Sequence, residues 1–247
     1  MVIQEKAAVA SAAANGKHGH TLISDAKFRQ LYGLALRLRL TTVLTGHEAA
    51  LAGIAADLRP GDLLIAKNGK DVRQATGGHL PGGVMPAHGE AQPGERIVEA
   101  VAGAAANRLK GNGRVSVVFL PGDSAGPMLE EAHALADRAK LPVLFVEDED
   151  GRRTKAHNGA QGKARLCEMP SIPVDAQDVV AMYRVAHESI ARAREGGGPT
   201  RIVCVASDGD GVGSGDALEH LERWLLARGL PAQEWRRHIV AAWEKEN

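Results

Sequence analysis

The sequence predicts an α/β fold: a parallel sheet held between layers of helices. Three observations point to it. Apolar, β-branched runs of strand length recur at Val115 to Leu120, Leu141 to Val146 and Arg201 to Ala206, as expected of strands buried on both faces. Stretches of helical length separate them. The order strand, helix, strand over residues 115–146, with short links, is that of a right-handed parallel crossover.

The elements follow in order along the chain. Residues 1–20 have no hydrophobic period and read as a loose tail,. A helix begins near Ser24 or Asp25, with Asp25 able to cap it, and carries Leu31, Leu34, Leu36 and Leu38,. Glu48 to Asp57 reads as a second helix, ended by Pro60-Gly61, and Asp62 to Ala66 as a short buried strand,. Residues 67–94 are rich in Gly, Pro, Asn and His and read as one long loop, a feature that in compact domains is usually functional or disordered. Glu95 to Lys110 is an Ala-rich helix, Met128 to Ala139 another, and Gln177 to Arg194 a long third one. Residues 152–175 read as a second polar loop. Two helices, about 216–228 and 232–245, finish the chain. A single domain over 21–247 is expected.

Composition excludes several functions. The 247 residues can bury a core without disulfides,. Lys plus Arg and Asp plus Glu are each 30, which lacks the basic excess of a nucleic-acid surface. Two cysteines, Cys167 and Cys204, are too few for a disulfide framework or a four-thiolate zinc site and fit a reducing, cytoplasmic setting,. No apolar run approaches the length of about 18 residues that a membrane span needs. The N-terminus, with Glu5 and no apolar segment, does not read as a secretory signal,. Three Phe, two Tyr and three Trp argue on composition against an aromatic stacking site.

Ligands of parallel sheets collect at the carboxyl ends of the strands. Three loops there stand out, at 121–126, 147–152 and 207–216, all acidic or Gly-rich. Asp123 and Asp150 lie after adjacent crossover strands, and either hold a hard divalent cation through oxygen or serve as a helix start and a solvated turn. Asp208 to Glu219 imitates a calcium loop, with acids at positions 1, 3, 9 and 12 and Gly at 6, but Val212 occupies an oxygen-ligand position,. Of the ten histidines, His79 and His88 in the long loop are those placed to reach a cleft. No phosphate-binding P-loop and no dinucleotide fingerprint is present.

Taken together, these segments resemble the alpha subunit of the thiamine-diphosphate-dependent 2-oxo acid dehydrogenases, the decarboxylating component of the pyruvate, branched-chain and acetoin systems. The stretch LYGLALRLR (31–39) resembles the family's first helix, and GHEAALAGIAADLRPGD (46–62) its Gly-Gln-Glu-Ala segment, with His47 where Gln is usual. LPVLFVEDEDG (141–151) resembles the strand bearing Glu-Asn-Asn-Gly, residues 172–205 the Val-Asp-Gly-x-Asp helix and following strand, and 216–230 the C-terminal helix.

The resemblance implies an α/β/α sandwich of the thiamine-diphosphate-binding type, the cofactor with Mg²⁺, and a beta-type partner subunit or self-association as homodimer or heterotetramer. It implies that Gly122, Asp123 and Ser124 stand for Gly-Asp-Gly, and Glu149-Asp150 for Asn-Asn, so that Asp123 and Asp150 would ligate Mg²⁺ beside the diphosphate,. Departures accompany it. The family's Tyr-Arg-x-His-Gly corresponds to Lys67-Asn68-Gly69-Lys70-Asp71, which leaves Lys67 and Lys70 as the cations without a guanidinium fork,. Val212 stands where the family has a working His and cannot move a proton,. Acidic residues 147–150 gather where a diphosphate should be welcomed,. The expectation is therefore an alpha-like subunit with a degenerate cofactor site and weak or no activity alone. The alternatives are an active alpha subunit working with a beta subunit, and a non-catalytic interaction subunit.

Overall fold

The computed structural model describes residues 23–41, 47–67, 72, 92–120, 126–148, 168–205 and 216–246. The tail at 1–20 and most of the loops at 67–94, 121–126, 149–167 and 206–215 lie outside these residues. Seven helices and five strands are described: α1 (Asp25–Leu40), α2 (Glu48–Ala55), β1 (Leu63–Ala66), α3 (Pro93–Lys110), β2 (Ser116–Phe119), α4 (Gly126–Arg138), β3 (Val143–Asp148), β4 (Ser171–Asp175), α5 (Val179–Arg194), β5 (Thr200–Val205), α6 (Ala217–Ala227) and α7 (Ala232–Glu246).

Local chemistry sets the helix ends. Ser24, not Asp25, caps α1: its side chain accepts from the Lys27 N–H, and Asp25 becomes the first helical residue, where its charge faces the positive end of the dipole,. α3 opens on a capping box between Gln92 and Glu95 with Pro93 in the first turn, and closes on Gly111 in the left-handed conformation at φ 58°,. Asp178 caps α5 and Asp216 caps α6.

The strands pair in parallel in the order β1-β2-β3-β5-β4. β4 corrects the expectation of a loop through residue 175. Pro173 sits in its middle and of its five side chains only Val174 is buried, so it lacks the long apolar run that marks a strand buried on both faces. Proline is tolerated there because β4 is an edge strand.

Strand alternation divides the core between two faces. Ile65, Val118, Val143 and Phe145 pack with Ile97, Ala100, Ala104, Leu129, Ala132 and Ala136 of α3 and α4. Leu64, Ala66, Val117, Phe119, Leu144, Val146, Ile202 and Cys204 point the other way, into a larger core built with α1, α2, α5, α6 and α7,. Topology explains the division. From β1 to β3 the chain steps across the sheet in one direction, through α3 and α4. From β4 to β5 it steps back, so a right-handed crossover puts α5 on the opposite face. The reversal between β3 and β5 is a topological switch point, where such sheets open a crevice beyond the strand ends. No described helix is long and apolar enough to cross a membrane.

α2 and α5 approach closely at Gly53. A Cβ there would lie 2.8 Å from the Tyr183 backbone nitrogen and 2.9 Å from the Met182 side chain. Alanine recovers about 1 kcal/mol of helix propensity over glycine, whereas forcing two packed helices apart costs about 1–3 kcal/mol. The obstacle is backbone, so the clash prevails. Gly53→Ala is expected to lower stability by up to about 2 kcal/mol in urea denaturation; a stabilised variant would contradict this packing.

Candidate functional site

The switch point carries a compact set of charged groups. β3 extends to Asp148, two residues beyond the expected strand end, and Asp148 pairs in register with Cys204 of β5. His47 precedes α2 and brings its Nε2 to 3.0 Å from Asp148 Oδ1. Its ring meets Phe119, the last residue of β2, edge-on with centroids 6.3 Å apart. The adjacent Glu48 is buried and receives the Arg39 Nε at 2.6 Å, while the same guanidinium forks onto Asp216 at 2.7 and 2.9 Å. Arg39 thereby fastens the start of α6 to α1 and α2.

Glu147 points to the other face. His133 Nε2 on α4 lies 2.8 Å from one of its oxygens and Arg201 Nε on β5 lies 3.0 Å from the other. The His133 ring stands edge-on to Phe145. Burial alone would raise the Glu147 carboxyl, but the hydrogen bond and charge of His133, then those of Arg201, outweigh it and hold the group below the usual carboxylate range,. The neighbouring Cys204 thiol is pushed up to about 12, first by burial and then by the charges of Asp148 and Glu147, so it is not a ready nucleophile.

These contacts revise the expectation of a repulsive acidic run at 147–150. Because residues 147 and 148 belong to a strand, their side chains leave opposite faces of the sheet, and each meets its own basic partner,. They also revise the calcium-like loop. Asp216, its ninth position, is spent on the Leu218 N–H and on Arg39.

Of the residues expected to form the site, Lys67 is described: it follows β1 directly and is exposed. Lys70, Gly122, Asp123, Ser124 and Asp150 lie outside the described residues, as do His79 and His88. Their flanks are in place. β2 and β3 are parallel neighbours whose carboxyl ends lie side by side, with Phe119 in register with Val146. Among the described residues no group of three or more His, Cys, Asp or Glu is set to hold a metal ion. His47 is the residue at the strand ends that sequence reasoning passed over in favour of His79 and His88. Its placement immediately ahead of an apolar helix was the available signal.

Comparison with known families sets the class. The model for the dehydrogenase E1 component family matches residues 42–206, and the chain belongs to that family. It is 29% identical over 251 residues to the alpha subunit of acetoin:2,6-dichlorophenolindophenol oxidoreductase of Bacillus subtilis, covering 83% of this chain and 74% of that one. It is 31% identical over 227 residues to the 3-methyl-2-oxobutanoate dehydrogenase subunit alpha of Mycobacterium tuberculosis, covering 78% of this chain and 61% of the relative. A solved transketolase from Campylobacter jejuni superposes with a TM-score of 0.48 at 14% identity, over 91% of this chain and 49% of that one.

Proposed function

We propose that this chain is an alpha-type subunit of a thiamine-diphosphate-dependent 2-oxo acid dehydrogenase whose grip on the cofactor is weakened, leaving weak or no activity without a beta-type partner. The observation that carries the reading is the commitment of the described basic groups near the end of β3. His47 is held by Asp148, His133 and Arg201 by Glu147, and Arg39 by Glu48 and Asp216.

The same pairs bear on whether an anionic cofactor fits. Glu147 is balanced by Arg201 and Asp148 is engaged by His47, so both described acids of 147–150 already have partners within the chain. The fit is one of tolerance rather than strong attraction. Lys67 and Lys70 would face the diphosphate, Gly122 and Ser124 would border it, and Asp123 and Asp150 would ligate Mg²⁺,. When bound, thiamine diphosphate supplies the carbon nucleophile and electron sink for decarboxylating a 2-oxo acid. The chain's own part is to bind and orient. Lysines are point charges that reproduce neither the fork of an arginine nor the proton transfer of a histidine, and Val212 adds neither.

A partner subunit is supported by the α3–α4 layer. Val98 and Leu109 on α3 and Met128 and Leu135 on α4 are exposed, Leu109 at 89%, and Met128 reaches Gly94 across the helix pair. These are four of the six exposed large apolar side chains among the described residues, a concentration that favours this layer as a contact surface. Calorimetric titration of thiamine diphosphate with Mg²⁺ into the chain, alone and with a beta-type subunit, tests the reading.

A further inference from the structure

We propose that the concavity between the start of α5 and one side of α6 binds a small multivalent anion, a phosphate or short dicarboxylate group. This cleft lies beyond the carboxyl end of β4, at the sheet edge opposite β1, and encloses about 250 Å³. That is below the roughly 300–1,000 Å³ of sites for drug-sized ligands, so it suits a few-atom anion rather than a nucleotide.

Its lining sets the sign of the ligand. Arg184 of α5, His220 of α6 and Arg228 just after α6 all border it. None of the three has a carboxylate partner within 4.0 Å among the described residues. The acid on the rim is Asp178, and it is occupied: one carboxylate oxygen accepts the Val180 and Ala181 N–H groups, each at 2.9 Å. Two arginines and a histidine thus border a volume whose one lining carboxylate is capped.

Arg228 is also held in place. Its guanidinium lies 3.9 Å from the centre of the Trp224 ring and 5.7 Å from that of Phe28, and those two rings meet edge-on at 4.8 Å. The guanidinium makes no side-chain hydrogen bond among the described residues, so this cation–π contact leaves its N–H donors open to an oxyanion,. Less side-chain entropy is then lost when the anion binds. The floor is apolar, with Val179 and Leu221 buried, so the charges act across a partly desolvated surface that strengthens them.

The test is calorimetric titration of the full chain with inorganic phosphate and, separately, with succinate, at ionic strength fixed by sodium chloride. Saturable one-site binding of at least one anion is expected. The tighter of the two identifies the site as one for phosphate-bearing or carboxylate ligands. Arg184→Gln, an exposed position away from the Trp224 stack, is expected to weaken that binding by about tenfold or more, as is Arg228→Gln. Circular dichroism checks that each variant is folded. Absence of saturable binding of either anion up to about 20 mM overturns the proposal. So does binding that Arg184→Gln leaves intact, which would put the anion elsewhere, at the cofactor residues for example.

Discussion

Asp62→Ala is expected to cost about 3–5 kcal/mol, a large part of the ~5–15 kcal/mol that holds a typical domain together. Asp62 lies just before β1 with its side chain 1% exposed. Its two oxygens accept four hydrogen bonds: from the Arg59 and Val115 N–H groups at 2.6 and 2.9 Å, and from both terminal nitrogens of Arg194 at 3.0 and 2.6 Å. One carboxylate thus joins the turn before β1, the approach to β2 and the last turn of α5. Truncation leaves a largely buried guanidinium and two backbone donors facing a void, and an uncompensated buried charge costs more than the pair contributed. Asp62→Asn preserves shape and one acceptor, so it is expected to lose less. Urea denaturation of the three proteins measures both effects, and a loss below about 1 kcal/mol for alanine would contradict the role given to this side chain.

Glu147→Gln is the second large effect. The wild-type carboxylate faces His133 and Arg201 with little solvent to help. Removing its charge leaves those two groups opposite a neutral amide, at a cost of about 2–4 kcal/mol; Arg201 keeps some access to water, which limits the loss. The substitution also changes the response to pH. The folded carboxyl titrates below its unfolded value, so its contribution is complete above the ordinary glutamate range near 4.3 and is lost as the pH falls through the folded value,. Asp57 acts in the same direction. Burial would raise it, but hydrogen bonds from His187 and Lys27, with their charges, bring it down. Wild type should therefore lose stability steeply in acid, and Glu147→Gln should lose less over the same interval. Parallel acid dependence in the two proteins would show that Glu147 contributes no linkage.

Much of this fold is legible in the residues. The runs at 115–120, 141–146 and 201–206 announce three buried strands because burial on both faces leaves them almost wholly apolar, with Ser116 and Arg201 as the polar exceptions,. β4 is not legible for the converse reason: an edge strand with Pro173 in it has no such run,. The site is legible only in part. Gly122, Asp123, Ser124 and Asp150 are suggested by family resemblance, and the sheet sets their flanks side by side. What spacing does not convey is which way a side chain leaves a strand whose end is uncertain by two residues. Glu147 and Asp148 read as one acidic cluster in sequence and in space meet separate partners on opposite faces of the sheet. Partners far apart in the chain, such as Asp62 with Arg194 and His47 with Asp148, are set by tertiary packing and leave no local pattern.

The proposed function turns on affinity for thiamine diphosphate. Calorimetric titration of the chain alone with thiamine diphosphate and excess Mg²⁺ measures it most directly. With the described imidazoles and guanidiniums near the end of β3 already paired, a dissociation constant no tighter than about 0.1 mM is expected, near −5.5 kcal/mol. A beta-type subunit that completes the site should tighten it. Micromolar binding by the chain alone would contradict the account of a weakened cofactor site.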